Sequence, residues 1–270
     1  MWAYLETKMN QNSSIGIGVI GLGVIGGQVA QALSDENRIK RLSRQIGVPI
    51  ELCQVADIDL ARLQSLGLSK KLLTTDASDV LNNSLVDIVV ELIGGVKPAI
   101  DFISTALSNG KHVVTANKEL MAKHGPELIE LAEKNNVQLM YEASVGGGIP
   151  IIRPLKKDLL ANEITHISAI INGTTNYIVT KMSKEGLDFN VALEEAQASG
   201  FAESDPTADI DGFDPAYKLV IMASLAFHTR ISLKDVYREG IRGLTSQDFL
   251  YAEELGYVIK LLAIAHYDDT

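Results

Sequence analysis

Ile15 to Leu33 reads IGIGVIGLGVIGGQVAQAL. Its first six residues are the β-branched and small type that forms a buried strand, and its last ten carry a helical pattern. Between them Gly21-Leu22-Gly23-Val24-Ile25-Gly26 fits G-x-G-x-x-G. In that spacing the first glycine allows a tight turn, the second lets backbone approach a pyrophosphate, and the third permits close packing of helix on strand. The pattern alone is weak, and a merely tight turn is the plain alternative. Lying directly after a strand and at a helix N-terminus, where free N–H groups point outward, it marks a dinucleotide site.

Such a site expects an acid at the end of the second strand to take the adenosine ribose hydroxyls. Asp57 in CQVADID stands there, 36 residues after Gly21, and a first helix running from about residue 26 to 45 accounts for the added length. Asp57 would repel a 2′-phosphate, which favours NAD(H) over NADP(H), although Arg62 lies close enough to soften that preference. A helix N-cap at Asp57 or Asp59 is the structural alternative.

Outward from the loop, IGIGVIG, IELCQVAD, VDIVVEL, KHVVTAN and VQLMYEA read as strands, with helical stretches over about 97–109 and 120–134 between the later ones. Continuous apolar strands alternating with helices predict a parallel sheet covered on both faces, a doubly wound Rossmann-type α/β domain. After the glycine-rich SVGGGIP the rhythm changes to a helix over about 151–160, a strand in THISAIING, and then mostly helices. The expected organisation is a disordered leader over 1–14, a dinucleotide-binding domain over 15–143, and an α+β substrate-binding, catalytic and dimerisation domain over 144–270. The run IKLLAIAHYDDT is either a strand or a helix end, and no capping segment follows it, so the second domain is expected to be incomplete.

A net charge of -10 and a pI near 5.0, with no basic stripe, argue against nucleic acid. No apolar run reaches the length of a membrane span, and no secretory signal is visible, so a soluble, cytoplasmic protein is expected. The single cysteine, Cys53, rules out an internal disulfide and reads as a small core hydrophobe.

In the second domain, SGFAESDPTADIDGFDPAYK (Ser199 to Lys218) crowds Glu203, Asp205, Asp209, Asp211 and Asp214 ahead of one lysine. Its glycine and proline breaks predict a loop, and Asp214-Pro215 predicts an N-cap with proline at the first helical position. From Ala216 to Phe227 the only charged residue is Lys218, so the helix is expected to be buried, with Lys218 one turn from Asp214. Burial lowers a lysine pKa and carboxylates raise it, a balance that suits an acid/base group. A structural ion pair with Asp214 is the alternative, as capping and solvation are for the other acids. Asn172, Thr174 and Thr175 of INGTTN either line a pocket or cap the next helix.

GLGVIGG, TANKEL, EASVGGGIPIIRPL, INGTTNYI and GFAESDPTADIDGFDPAYKLVIMA, taken in order, resemble homoserine dehydrogenase over roughly residues 15 to 265. The resemblance implies reversible NAD(P)-dependent interconversion of L-homoserine and L-aspartate 4-semialdehyde, in threonine and methionine biosynthesis. It implies that Lys218 is the acid/base group, that Glu203 and Asp214 bind the amino-acid substrate, and that Lys118 of the TANK turn serves catalysis and the cofactor. It further implies a sodium ion on backbone oxygens of Glu142, Val145, Gly147 and Ile149. A homodimer is expected if the second domain is complete. Members of the family are longer, with a later glycine-rich segment that this sequence lacks. The competing readings are a non-catalytic nucleotide-binding remnant and another small-substrate dehydrogenase on the same plan, the latter disfavoured by the acid loop.

Overall fold

The computed structural model describes residues 14–268, so the leader expected over 1–14 lies, apart from Ser14, outside the described residues. Two compact units divide between Gly147 and Gly148.

The first unit is built on a parallel sheet of six strands in the order β3-β2-β1-β4-β5-β6. The strands are β1 (Ile15–Ile20), β2 (Ile50–Ala56), β3 (Leu73–Thr74), β4 (Ile88–Glu91), β5 (His112–Thr115) and β6 (Leu139–Met140). This is the doubly wound order that the alternating pattern predicts, with the change of direction beside β1. All six residues of β1 are buried, as a central strand covered on both faces requires. The two-residue β3 was too short to give a periodic signal in the sequence.

The helices correct several boundaries. The single helix expected over residues 26–45 is two: α1 (Val24–Ser34) and α2 (Glu36–Ile46). Asp35 sits between them in extended conformation and accepts a hydrogen bond from Arg38 N, so its side chain ends one helix by capping the next. That bond also holds the Asp35 carboxyl below its ordinary pKa. There follow α3 (Leu60–Ser65), α4 (Ala77–Asn82), α5 (Ala99–Ser108) and α6 (Lys118–Lys134).

The glycines of β1 have a packing cause. A Cβ added at Gly16 would stand 1.6 Å from the Leu85 carbonyl oxygen, and one at Gly18 would stand 2.4 Å from Val80 Cγ1 of α4. The strand can therefore lie against the α4–β4 connection only without side chains at those two places. Cys53 is half-buried rather than deep in the core, its thiol against the Leu85 carbonyl, and burial raises its pKa.

The second unit holds a two-stranded antiparallel sheet of β7 (His166–Ala169) and β8 (Ala263–His266). Its helices are α7 (Gly173–Glu185), α8 (Phe189–Ala198), the one-turn α9 (Thr207–Ile210), α10 (Phe213–Ala226) and α11 (Ser246–Glu254). The helix expected over about 151–160 is instead a π-helical turn, Pro154–Asp158, and the segment read as loop before Asp214 contains α9. The C-terminal run resolves as strand β8. Ile178, Val179 and Met182 of α7 form a core with Ala192 and Ala196 of α8, Ile210, Ile241 and Phe249. Nine of the fourteen residues of α10 are buried, which makes it a core helix, as its lone charge predicted. No helix among the described residues is long and apolar enough to cross a membrane.

Replacing Gly16 by alanine forces a methyl group onto a backbone oxygen that cannot yield without displacing β1. Urea unfolding of the whole chain should show a loss of about 1–3 kcal/mol or more for Gly16→Ala, against little change for alanine at the open position Gly148.

Candidate functional site

In the first unit β1 delivers the chain into Gly21, whose φ of +94° only glycine adopts readily. A Cβ there would lie 2.6 Å from Ile93 Cγ2, and one at Gly26 would lie 1.8 Å from the Gly21 oxygen, so both glycines are fixed by contact. Gly23 differs: no heavy atom lies within 4 Å of where its Cβ would be, and this residue is the N-cap of α1 with no side-chain capping bond. The open space over Gly23 and the unpaired first-turn N–H groups are what a pyrophosphate needs. Around them Val24 (90% exposed), Ile25 and Ile58 (92%) present apolar surface to solvent, while Leu22 is buried.

Asp57 closes the loop from the next strand. It is buried; Leu22 N donates to its Oδ2 at 2.5 Å and Asp59 N to its Oδ1 at 2.8 Å. Of the two candidates for an N-cap, Asp59 is the one that caps α3, accepting from Ala61 N and Arg62 N, and Arg62 pairs with Asp59 at 3.3 Å. Asp57 therefore braces the glycine loop, and Arg62 is engaged by the neighbouring acid.

Lys118 is the first residue of α6, at the carboxyl end of β5, and the Asn117 side chain caps that helix by accepting from Leu120 N at 3.0 Å. Further along, Glu142 begins a 3₁₀ turn whose carbonyl accepts from Val145 N. Gly147 has a left-handed φ of +58° and ends the first unit; Ile149 belongs to the second and is exposed. Burial, followed by the charge of Glu142, pushes the Tyr141 hydroxyl up to about 12.

In the second unit the five acids divide their tasks. Glu203 is exposed, and its backbone carbonyl takes Gln197 Nε2 at 3.0 Å. Asp205 is held below its usual pKa by hydrogen bonding from Thr207. Asp211 receives the Arg242 guanidinium at 2.9 and 3.2 Å, which lowers its pKa in the same way. Asp209 and Asp214 are joined by one amide: Asn172 Nδ2 donates to Asp209 Oδ1 at 2.7 Å and to Asp214 Oδ2 at 2.8 Å. Lys218 Nζ donates to Asp214 Oδ2 at 2.7 Å and to the Ile171 carbonyl at 2.8 Å.

The expected N-cap at Asp214 is corrected. Helix α10 begins at Phe213, behind a left-handed Gly212 (φ +78°) that is its N-cap, and Asp214 lies in the first turn, 2% exposed. Its carboxylate turns inward toward Lys218 and Asn172 instead of outward to the free N–H groups.

INGTTN provides the helix cap that was one of its two readings. Asn172 Oδ1 accepts from Thr175 N and Thr175 Oγ1, both at 2.8 Å, which fixes the amide so that its nitrogen faces the carboxylates. Thr174 Oγ1 donates to the Phe201 carbonyl, tying α7 to the start of the acid loop.

Arg238, Gly240 and Arg242 carry no signal in the sequence, since they follow Asp211 by about thirty residues and belong to no motif. A Cβ at Gly240 would lie 2.3 Å from the Ile210 oxygen, Ile241 N donates to that same oxygen, and Arg238 lies 3.4 Å over the Phe213 ring. This strand of chain straps the acid loop from outside.

Removing the Asn172 side chain takes away a cap and one donor to a buried carboxylate together. Asn172→Ala should cost about 1 kcal/mol for the cap and about 1–3 kcal/mol for the donor withdrawn from Asp214. Chemical denaturation of the intact chain reads the sum, and a loss under half a kcal/mol would contradict this geometry.

Two family models match in succession: "Homoserine dehydrogenase, NAD binding domain" over residues 21–142 and "Homoserine dehydrogenase" over 150–268. The crystal structure of a homoserine dehydrogenase from Thiobacillus denitrificans is 44% identical with a TM-score of 0.89, covering 95% of this chain and 59% of that one. A putative homoserine dehydrogenase from Archaeoglobus fulgidus is 34% identical with a TM-score of 0.81, covering 93% and 80% respectively. A hyperthermophilic archaeal homoserine dehydrogenase mutant in complex with NADPH is 27% identical with a TM-score of 0.77, covering 94% and 79%. Against the curated homoserine dehydrogenases that match at 42–45% identity, the chain spans only 56–58% of their length. Two matched models over nearly all the described residues, with a relative one third identical that is covered over four fifths of its own length, carry one conclusion: the chain belongs to the homoserine dehydrogenase family.

Proposed function

We propose that this chain carries out NAD(P)-dependent interconversion of L-homoserine and L-aspartate 4-semialdehyde. The observation that carries the reading is the Lys218–Asp214 pair in a core helix, its carboxylate buried and its ammonium half-buried, reached by an acid loop whose Glu203 stays exposed. An amino-acid substrate brings an ammonium that needs carboxylates, and Glu203 and Asp214 supply them. Its C4 hydroxyl must lose a proton when oxidised; Lys218 takes that proton and returns it in the reverse direction. A bound nicotinamide supplies the hydride acceptor or donor. The open face over Gly23 fits its pyrophosphate, with Gly21, Leu22, Val24, Ile25 and Gly26 forming the rest of the cradle.

The carboxylate of Asp57, braced behind the loop, favours NAD(H), while the NADPH held by the archaeal relative supports the nicotinamide class without that preference. Lys118, presented at the carboxyl edge of the sheet, orients the substrate oxygen or the cofactor. A sodium ion on the carbonyl oxygens of Glu142, Val145, Gly147 and Ile149 would be a structural support, since neutral hard oxygens suit such a cation. The same reading places the enzyme in the reducing cytoplasm, as a homodimer where the second domain is complete.

The deciding experiment follows NAD(P)H absorbance with homoserine in one direction and aspartate semialdehyde in the other. Tight NADH binding with no turnover would establish instead a nucleotide-binding chain without catalysis. Lys218→Met keeps the apolar stem in a buried helix, and turnover should fall by roughly 10²- to 10⁴-fold with NADH binding kept. If Lys218 serves only as the partner of Asp214, the variant loses stability and the surviving folded protein keeps its rate. For Gly23→Val the folded chain has room, so stability should fall by no more than the about 1 kcal/mol of a poorer N-cap, while the NADH dissociation constant rises at least tenfold, read by fluorescence titration. Unchanged affinity would remove the glycine loop from the site.

A further inference from the structure

Glu91 ends β4 and is 0% exposed, the most deeply buried charged side chain among the described residues. A carboxylate withdrawn from water is costly unless its oxygens are used, and both are. Ile93 N donates to Oε1 at 2.8 Å, and the Thr115 hydroxyl donates to Oε2 at 2.6 Å from the paired position on β5. Thr115 Oγ1 in turn accepts from Asn117 N at 3.0 Å. Asn117 caps α6 with its oxygen and donates from Nδ2 to the Gly95 carbonyl at 2.6 Å.

The position of this network separates it from an ordinary satisfied core acid. Parallel sheets bind their ligands at the carboxyl ends of the strands, where Glu91 and Thr115 both lie. Ile93, whose N–H the carboxylate holds, is the residue against which Gly21 rests, its Cγ2 2.6 Å and its nitrogen 2.9 Å from where a Gly21 Cβ would be. Asn117, at the other end, immediately precedes Lys118. The intervening Gly94 and Gly95 have φ of +75° and +70° and bring no side chain to anchor their loop.

We infer that Glu91 and Thr115 are positioning residues which set the floor of the glycine loop and the turn bearing Lys118 by a single hydrogen-bonded chain. The kinetic part of this inference rests on the homoserine dehydrogenase reading; the binding part does not. Thr115→Val keeps the shape and removes the hydroxyl, leaving a Glu91 oxygen and the Asn117 N–H unmatched, whereas Thr115→Ser keeps the hydroxyl.

In the full chain, Thr115→Val should raise the NADH dissociation constant about tenfold and lower kcat with homoserine by about 10²-fold, the size expected when site groups move by about 1 Å. Thr115→Ser should stay within about twofold of the parent in both. A Thr115→Val protein that melts earlier yet keeps both constants would reduce the network to a structural one and overturn the inference, as would equal losses in the valine and serine variants. If Thr115→Val fails to fold, Asn117→Ser replaces it: serine retains the α6 cap but releases the Gly95 carbonyl, and NADH binding should weaken severalfold. Unchanged binding there overturns the inference too. A parent chain that binds NADH and does not oxidise homoserine refutes the proposed function alone, and the binding comparison then decides this one.

Discussion

A carboxylate 2% exposed has to be neutralised and hydrogen-bonded where it lies, and much of the second unit follows from doing so for Asp214. Lys218 meets it from one turn along the same helix, and the amide of Asn172 meets it from the start of another. Lys218 reaches it from one turn along, Asp214 standing inside the first turn of a helix that starts at Phe213 behind a left-handed Gly212. For Asn172 to reach it, α7 must begin with its amide nitrogen facing the acids, an orientation set by the two bonds its oxygen accepts from Thr175. The strap through Gly240 and Arg242 then closes the loop between these helices.

The first unit depends on contact rather than charge. Backbone there approaches backbone at Gly16, Gly21 and Gly26 more closely than any side chain permits, and Gly23 is the one glycine of the motif with open space beside it. The motif thus holds two kinds of glycine. Gly21 and Gly26 build the turn, and Gly23 leaves room for something that is not protein.

How far the amino-acid order alone revealed this depended on the range of the forces involved. The parallel sheet, its glycine loop and the buried α10 came through because period and burial are local properties, written in consecutive residues. The Lys218–Asp214 pair came through for the same reason, four residues being one helical turn. What failed was also local but rested on side-chain choice. Asp35 interrupts a helix that periodicity alone would continue, and Asp214-Pro215 imitates an N-cap while the helix starts one residue earlier, with Asp214 turned inward from its first turn. Long-range partners left no trace at all: nothing near Asp211 announces Arg242, thirty-one residues on. Glu91 ends the apolar run IVV of β4, and its use became clear only with β5 alongside it.

The brace from Asp57 to the Leu22 N–H bears on how cofactor preference can change in such a fold. Under the proposed preference for NAD(H), the acid that repels an extra phosphate is also a structural member of the glycine loop. Exchanging it for a neutral or basic residue would then remove the repulsion and loosen the loop in one step. Selectivity and affinity at this position are therefore not independent variables, and a lineage shifting from one nicotinamide to the other would have to rebuild support for Leu22 before, or together with, the change at residue 57.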